Sequence, residues 1–312
     1  MKLLVLGAGA VGGYFGGRLS QAGADVTFLA RPSRRAQLER DGLRMVSPHG
    51  DATLTVQTVD ASAVRPIYDC VLLSCKAYDL DSAMEAIAPA VGEGATIVPL
   101  LNGMAHLPRL DQRFGASRVM GGTCWISATL DAEGVIRHVD PLQRIAFGHR
   151  GGARAGIGVD LVNAFAATGV PCELVENIEQ EMWEKIAFLS VFAAATCLFR
   201  ANIGEIVASP GGLDALKGSF AINCEAAARA GYPLRPEAIE RALRVLTVGS
   251  ARNASMRHDL DAGHRVESDQ IIGWMVDVAR SHGLEPTLLA HAYTQLKAYE
   301  ARRQESRSPS AQ

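Results

Sequence analysis

The sequence predicts an α/β protein with a doubly wound parallel sheet in its first half and an all-helical domain in its second half. Short apolar runs alternate with helical patterns up to residue 176, which is typical of parallel strands joined by crossover helices. From Asn177 onward strand signals almost vanish and helical patterns follow one another. We therefore expect a sheet domain over 1–176, a helical domain over 177–303 and a disordered tail over 304–312.

The same patterns place the elements of the first domain. Strands are predicted near 2–6, 25–30, 69–74, 95–99 and 118–123, with helices near 10–22, 33–40, 79–88 and 105–112 between them. Residues 134–139 and 144–148, separated by Pro141, are predicted to form an antiparallel pair at the sheet edge. A helix near 156–168 and a strand at 171–175 complete the domain.

Helical patterns fill the second domain. They are predicted at 178–199, 212–230, 236–246, 256–262, 267–282 and 286–299, separated by turns that contain glycine or proline. The apolar run 186–199 is shorter than the roughly 18 residues that a membrane span requires. We therefore expect a buried core helix there, and no membrane partner.

A glycine-rich turn follows the first strand directly. Gly7-Ala8-Gly9-Ala10-Val11-Gly12 has the pattern G-x-G-x-x-G and opens the first helix. In a Rossmann-type domain the first glycine permits the tight turn, the second lets a pyrophosphate approach the backbone, and the third lets the helix pack on the strand. The phosphates then bind free N–H groups at the helix N-terminus. Glycines also close ordinary turns, but the flanking strand and helix favour a dinucleotide site.

The end of the second strand predicts which dinucleotide binds. An NAD enzyme normally carries Asp or Glu at this position, to bind the ribose hydroxyls. This chain has Arg31 there, followed by Ser33 and Arg34. Because a guanidinium is a planar fork that suits a phosphate monoester, we expect NADP(H) as the cofactor. The alternative is a solvated, basic start of a helix.

Polar residues follow or end three further strands of the first domain. Lys76 and Asn102 come after buried apolar runs, and Thr123 ends the predicted strand 118–123. Ligands of open α/β sheets bind outside the carboxyl ends of the strands, so each residue is a candidate for binding the cofactor. The alternative for each is a loop residue without a ligand.

The helical domain offers a general acid. Lys185 stands near the start of helix 178–199, before a long apolar stretch, and a lysine within hydrogen-bond reach can protonate a ketone oxygen during hydride transfer. Ser255 is predicted to cap a short helix that Gly263 ends, with Glu267 in the first turn of the next helix. A capped N-terminus can hold a carboxylate, although capping without a ligand explains these residues equally.

Composition excludes several classes of function. The formal net charge is −2, which argues against a nucleic-acid surface because such a surface needs a basic stripe. The six cysteines contain no C-x-x-C pair, as expected for reduced thiols of a cytoplasmic protein. His, Cys and Asp residues show no metal-ligand spacing, so no metal is expected.

Taken together, these motifs resemble the ketopantoate reductase family. The resemblance rests on the glycine turn, Cys-Lys-Ala at Lys76, Leu-Asn-Gly-Met at Asn102, Trp-x-Lys at Lys185, and Ser255-Met followed twelve residues later by Glu267. The motifs stand in family order and cover the chain from its start to about residue 300. The resemblance implies reduction of ketopantoate to pantoate with NADPH, in pantothenate biosynthesis.

The resemblance also implies a role for each matching residue. Lys185 would protonate the ketone oxygen, and Ser255 would hold the substrate carboxylate. Glu267 would bind the hydroxyl end of the substrate and contact the cofactor. Asn102 and Lys76 would lie near the nicotinamide and its ribose, with Asn102 also close to the substrate.

One departure from the family bears on the substrate. The family carries asparagines four and eight residues after the helical lysine, on the same helix face, whereas this chain has Leu189 and Ala193. Two polar contacts are thereby replaced by an apolar wall. We therefore expect a 2-oxo acid with a larger or less polar side chain; the alternative is ketopantoate held by compensating contacts.

Two other functions remain open on the sequence. A 3-hydroxy acid dehydrogenase also uses a lysine of its helical domain, but Ser255 and Glu267 at their family interval argue against it. A non-catalytic NADP-sensing protein would not need Lys185 and Glu267 together. We expect a small-molecule substrate as partner, and a monomer or homodimer.

Overall fold

Ten strands build two sheets. In the computed structural model, which describes residues 1–92, 94–150 and 156–306, one sheet is parallel and the other is mixed. The strands are β1 (Lys2–Leu6), β2 (Asp25–Leu29), β3 (Leu43–Val46), β4 (Ala52–Leu54), β5 (Gln57–Val59), β6 (Cys70–Leu73), β7 (Thr96–Pro99), β8 (Gly121–Leu130), β9 (Val135–Gly148) and β10 (Cys172–Leu174).

The described part of the chain contains twelve α-helices, and it divides into two units. They are α1 (Ala10–Gln21), α2 (Pro32–Asp41), α3 (Leu80–Val91), α4 (His106–Phe114), α5 (Ile157–Ala166), α6 (Ile178–Phe199), α7 (Ile203–Ala208), α8 (Gly212–Arg229), α9 (Pro236–Thr247), α10 (Ser255–Asp261), α11 (Trp274–Ser281) and α12 (Thr287–Glu305). Unit 1 comprises Met1–Leu101 and His106–Glu179, and unit 2 comprises Asn102–Ala105 and the chain from Gln180 onward.

The parallel sheet has the strand order β5-β2-β1-β6-β7. Its central strand β1 is buried from Leu3 to Leu6, which explains the continuous apolar run in the sequence. The first strand lies in the middle of the sheet, and later strands are added on both sides of it, as in a Rossmann-type sheet. The predicted fold class is therefore confirmed.

The second sheet departs from the sequence prediction. Its order is β10-β9-β3-β4, with β8 paired antiparallel to β9. The predicted antiparallel pair 134–139 and 144–148 is wrong: both segments belong to the single strand β9, and its partner is β8. Pro141 lies where the register between the two strands shifts, between Ile126 and Ala128, so its missing N–H breaks no pairing.

Helix α1 lies between the two sheets and contacts strands of both. A Cβ atom on Gly16 would come within 2.9 Å of Phe28 and Val5 in the parallel sheet. A Cβ atom on Gly17 would come within 2.7 Å of Leu43 in the second sheet. Glycine on both helix faces is therefore what lets the sheets approach the same helix.

The core of unit 2 is the long helix α6. It has the length and mean hydropathy of a membrane span, but 83% of its most apolar window is buried inside the protein, as expected of a core helix. Two buried polar side chains bond to its backbone: Ser190 donates to the Ile186 carbonyl at 2.8 Å, and Asn223 of α8 donates to the Ala187 carbonyl at 2.9 Å.

Unit 2 differs from the prediction in one additional helix and in the end of its last helix. The short helix α7 is not visible as an apolar pattern, but it begins with a capping box formed by Asn202 and Glu205. Helix α12 continues to Glu305, so the predicted tail 304–312 begins inside a helix. The rest of that tail lies outside the described residues.

His106, the first residue of α4, is almost wholly buried at 1% exposure. Burial, together with the nearby Arg150 guanidinium, lowers the pKa of His106 to about 3. Arg150 itself forms a two-point ion pair with Asp111, with both N–O distances at 3.0 Å.

This buried histidine predicts a loss of stability in acid. Below pH 6.5 the unfolded chain gains a proton on His106 that the folded chain does not bind, so the free energy of unfolding falls as the pH drops from 6.5 toward 3. We expect a decrease of about 2 kcal/mol between pH 7 and pH 5 from this group, measured by urea denaturation. His106→Gln should flatten the pH dependence, whereas the same change at the exposed His258 should not; equal slopes in wild type and His106→Gln would contradict the assignment.

Candidate functional site

The glycine turn after β1 is held by backbone geometry that other residues rarely adopt. Gly7 has φ = +96°, and its N–H donates to the Leu29 carbonyl at 3.1 Å. Ser74, just after β6, donates from Oγ to the Leu6 carbonyl at 2.8 Å. A Cβ atom on Gly12 would lie 2.0 Å from Ser74 Oγ and 2.2 Å from the Gly7 carbonyl oxygen. The turn, the helix and β6 therefore touch with no space for a side chain.

Gly9 differs from the other two motif glycines because the space beside it is open. A Cβ atom there would have no neighbour within 4 Å among the described residues. Gly9 precedes the twelve-residue α1, whose first turn carries no acidic residue. An open face beside unpaired N–H groups and a positive helix end suits a pyrophosphate, so Gly7, Ala8, Gly9, Ala10, Val11 and Gly12 fit a dinucleotide.

Arg34 supports the glycine turn as well as facing the expected adenosine side. Its Nε donates to the Ala8 carbonyl at 2.9 Å, and its Nη1 donates to Gln37 at 2.7 Å and to the Gly134 carbonyl at 3.0 Å. Burial holds the pKa of Arg34 below its usual range. Its remaining nitrogen, Nη2, is buried and finds no acceptor in the described chain, which leaves one donor for an anion.

Arg31 and Ser33 lie at the start of α2 and are both exposed. Arg31 Nη2 stands 2.9 Å from Asp79 Oδ2. Ser33 is the second residue of α2, after Pro32, so its N–H and hydroxyl stand at the positive end of that helix. These positions keep Arg31 and Ser33 available to a ligand at the ends of β2 and β6.

Lys76 lies where the sequence predicts, and Thr123 does not. Lys76 is half-buried directly before the short 3₁₀ turn Ala77–Asp79, at the carboxyl end of β6. Thr123 is the third residue of the ten-residue strand β8 in the second sheet, so its predicted position at the end of a parallel strand is wrong. It is buried, and its hydroxyl has no partner within the described ranges.

Asn102 belongs to the second unit although it follows β7. Its neighbour Gly103 has φ = +86°, and a Cβ atom there would lie 2.5 Å from the Gln270 carbonyl oxygen and 3.9 Å from Ile186 Cδ1. The Asn102–Ala105 segment therefore packs against the helix that carries Lys185 and the segment that begins at Glu267. The structure thus brings together three segments that are widely separated in the sequence.

Lys185 is buried on α6, with 8% of its surface exposed. The preceding Glu184 is buried too, and Arg235 holds its carboxylate through two bonds, Nε to Oε1 at 2.6 Å and Nη2 to Oε2 at 2.7 Å. These bonds raise the pKa of Arg235 above its usual range. Trp183 stacks on Tyr232 with ring centroids 5.3 Å apart, so this turn of α6 is fixed from two sides.

The two positions that depart from the family asparagines have different surroundings. Leu189 is partly exposed, whereas Ala193 is buried at 1% exposure. Next to them on α6, the rings of Phe188 and Phe192 stack with centroids 5.5 Å apart. This stretch of α6 therefore combines a small apolar residue with bulky apolar neighbours.

Ser255 and Glu267 do not occupy the helix positions predicted for them. Ser255 is the first residue of α10 and not its cap; Ala254 precedes it, and the exposed Ser255 side chain forms no capping bond in the described structure. Glu267 precedes the helical residues, and its carbonyl accepts the Ile271 N–H at 3.2 Å at the start of a π-helical turn, Asp269–Gly273. Its side chain is nevertheless buried.

The contacts of α10 lie far along α6 from Lys185. Arg257 of α10 donates to the Thr196 carbonyl at 3.1 Å, eleven residues after Lys185, which is about 16 Å along a helix axis. Glu267, by contrast, lies three residues before Gln270, beside the Asn102 segment.

Sequence reasoning missed Ser74, Asp79, Arg235 and Asn223, because each acts through a partner that is distant in the chain. Within the described ranges no group of three or more His, Cys, Asp or Glu could hold a metal ion.

Comparison with known proteins decides the family. The family described as Ketopantoate reductase PanE/ApbA matches residues 3–152, and its C-terminal counterpart, Ketopantoate reductase PanE/ApbA C terminal, matches residues 177–300. The chain belongs to this family. It is therefore an NAD(P)-dependent oxidoreductase of a family whose reaction is the reduction of a 2-oxo acid.

Individual members of the ketopantoate reductase family are similar over nearly the whole chain. The uncharacterized oxidoreductase YkpB of Bacillus subtilis (strain 168) is 33% identical, covering 96% of this chain and 99% of its own. The 2-dehydropantoate 2-reductase of Halobacterium salinarum (strain ATCC 700922 / JCM 11081 / NRC-1) is 29% identical, covering 91% and 94%.

Solved structures agree with the fold. The PanE/ApbA family ketopantoate reductase from Ralstonia eutropha JMP134 superimposes with a TM-score of 0.88 at 26% identity, over 97% of this chain and 100% of that one. A D-mandelate dehydrogenase, in a ternary structure with NADH and anilino(oxo)acetate, has a TM-score of 0.87 at 20% identity over 97% and 100%. At that identity the second likeness shows the fold alone.

The contrast between Gly9 and Gly12 gives a matched test of the dinucleotide site. Gly9→Ala places a methyl group in open space beside the helix N-terminus, so the fold should lose about 1 kcal/mol or less, while NAD(P)H affinity falls at least roughly tenfold. Gly12→Ala places its methyl group against backbone and should cost about 1–3 kcal/mol. Thermal denaturation and calorimetric titration check both; unchanged cofactor affinity in Gly9→Ala would contradict the site.

Proposed function

We propose that this chain reduces a 2-oxo acid to the 2-hydroxy acid with NADPH, and that its substrate has a side chain less polar than that of ketopantoate. The observation that carries the proposal is Lys185, a cation buried on the apolar helix α6. The same turn of α6 is held in place by Arg235, which binds the adjacent Glu184 carboxylate at two points. An ammonium group kept in such surroundings is suited to donate a proton to a developing alkoxide.

The proposed mechanism divides hydride and proton between the cofactor and the protein. When bound, NADPH supplies a hydride to the carbonyl carbon. Lys185 donates a proton to the carbonyl oxygen as negative charge builds there, and its neutral amine later regains a proton from water. The atoms of ketone, hydride and proton together make the 2-hydroxy acid, and no further oxidant or reductant is needed.

Other residues would bind and orient the reactants. Gly7 to Gly12 would receive the pyrophosphate at the N-terminus of α1, and Arg31, Ser33 and Arg34 would receive the adenosine phosphate. Lys76, at the carboxyl end of β6, would contact the nicotinamide riboside. Glu267 would bind the hydroxyl end of the substrate and the cofactor, and the exposed Ser255 is left without a role, because its helix α10 contacts α6 far from Lys185. We propose that the reaction takes place in the cytoplasm; none of the six cysteines, all of which lie in the described ranges, forms a disulfide.

The substrate preference follows from the apolar residues of α6. Sites that hydrogen-bond a hydroxyl reject analogues without it strongly, whereas apolar pockets separate similar groups by only ~1–3 kcal/mol. Leu189 and Ala193 supply no such hydrogen bonds, and the Ala193 side chain is smaller than the asparagine that the family carries there. Branched or aromatic 2-oxo acids are therefore the favoured class.

The first test concerns the proton donor. Lys185→Ala should lower kcat by ~10²–10⁴-fold while the Kd for NADPH changes little, because general acid catalysis is lost and binding of the cofactor is not. Lys217→Ala, which removes an exposed lysine from α8, should leave kcat unchanged. Near-normal turnover of a folded Lys185→Ala protein would remove this residue from the mechanism.

The second test concerns the substrate. We expect kcat/KM for branched or aromatic 2-oxo acids to exceed that for ketopantoate by roughly 10–100-fold, as apolar discrimination allows. Leu189→Asn should shift the ratio toward ketopantoate by restoring a polar contact on the Lys185 face. Leu198→Asn makes the same change further along α6 and should not shift it. A wild-type preference for ketopantoate would overturn the substrate assignment.

A further inference from the structure

Asp79 is placed in an unusual way for an aspartate that precedes a helix. It directly precedes α3, where an aspartate normally accepts a hydrogen bond from the N–H groups of the first turn. No such bond is formed in the described structure. The carboxylate instead meets Arg31, with Oδ2 at 2.9 Å from Nη2, across the ends of β2 and β6. The Asp79 side chain therefore forms an ion pair with the Arg31 guanidinium and does not cap its own helix.

The surface where the adenosine phosphate is proposed to bind, around Arg31, Arg34 and Arg35, carries less positive charge than these three arginines alone would give it. Arg35 is bound to Glu39 at 2.7 Å and to Asp60 at 2.6 Å. Together with Arg31 and Asp79, this makes two guanidinium groups facing three carboxylates. Among the described residues Arg34 forms no ion pair with a carboxylate, and two of its three nitrogens donate hydrogen bonds to neighbouring groups of the protein.

The two cofactors place different demands on the Arg31–Asp79 pair. A phosphate monoester on the adenosine ribose must displace the Asp79 carboxylate from Arg31 or share the guanidinium with it. A ribose hydroxyl makes no such demand, because it carries no charge. The Arg31 side chain is 71% exposed and that of Asp79 26%, so the pair is weak enough to exchange, yet the carboxylate stays fixed at the start of α3.

We propose that Asp79 is a specificity-determining residue: by competing for Arg31 it limits how strongly the protein prefers NADPH over NADH. The inference rests on the proposed use of Arg31 for the adenosine phosphate. The preference for NADPH then depends on how much more strongly Arg31 binds the phosphate of the cofactor than the carboxylate of Asp79.

The experiment compares Asp79→Asn with Asp81→Asn. Because the Asp79 side chain forms no capping bond, Asp79→Asn removes the negative charge at nearly the same side-chain size and costs the helix no cap. Asp81 lies two residues further along, in the first turn of α3, and pairs with Arg109 instead of Arg31. The second variant therefore makes the same change of charge next to a different cation.

Binding of NADPH and of NADH is measured by calorimetric titration without substrate, at low ionic strength. We expect Asp79→Asn to tighten NADPH binding by roughly 3–10-fold and to change NADH binding less than twofold, and Asp81→Asn to alter neither. In an Arg31→Ala background the gain from Asp79→Asn should disappear, because no guanidinium remains to be released.

Each outcome separates this inference from the proposed function. If wild type binds neither cofactor, or binds NADH and not NADPH, the proposed function fails and the inference falls with it. If wild type binds NADPH but Asp79→Asn binds it no better or more weakly, the inference alone is overturned, since the carboxylate then orients Arg31 instead of competing for it. A gain that persists in full without Arg31 also overturns it.

Discussion

The glycines of helix α1 are the constraint on which unit 1 depends. The parallel sheet and the second sheet both pack against this helix, and a Cβ atom would clash at Gly16 on one side and at Gly17 on the other. A further close contact, between Gly12 and the Gly7 carbonyl, fixes the turn that precedes the helix. The glycines that pack against neighbouring layers are thus preceded closely in the chain by Gly9, beside which there is open space, at the helix N-terminus where we propose that the dinucleotide binds.

The parts of this fold that could be predicted are those encoded locally. The apolar runs of β1 and β2 and the glycine pattern between β1 and α1 are visible in the sequence, and they predict these three elements correctly. The second sheet could not be predicted, because β3 and β4 are only four and three residues long and β4 is not buried. Pro141 falsely indicated a break, since a register shift inside one strand looks the same in sequence as a loop between two. Thr123 was misplaced because its apolar run does not end a strand of the parallel sheet; it begins β8, which pairs antiparallel with β9 in the second sheet.

Residue type predicted the candidate site better than residue role. Arg34 is basic where a phosphate is expected, yet most of its donors bind the Ala8 and Gly134 carbonyls, which no local pattern reveals. Asn102 follows a strand of unit 1 but packs with unit 2, because Gly103 fits against the Gln270 carbonyl. In both cases a partner far away in the chain decides the position. A sequence lists donors and charges, and only the fold shows which of them are already engaged.

That distinction governs the electrostatics of both units. On α6, next to Lys185 in the sequence, the buried Glu184 carboxylate is held at two points by Arg235, and removing Arg235 would leave that buried charge without its cation. At the ends of β2 and β6, the Arg31–Asp79 ion pair is partly exposed to solvent, so another anion can replace Asp79 at little cost in free energy. A ligand anion can thus compete for Arg31 but not for Arg235. Burial, more than the number of charged residues, determines which cations are open to a ligand and which only hold the fold together.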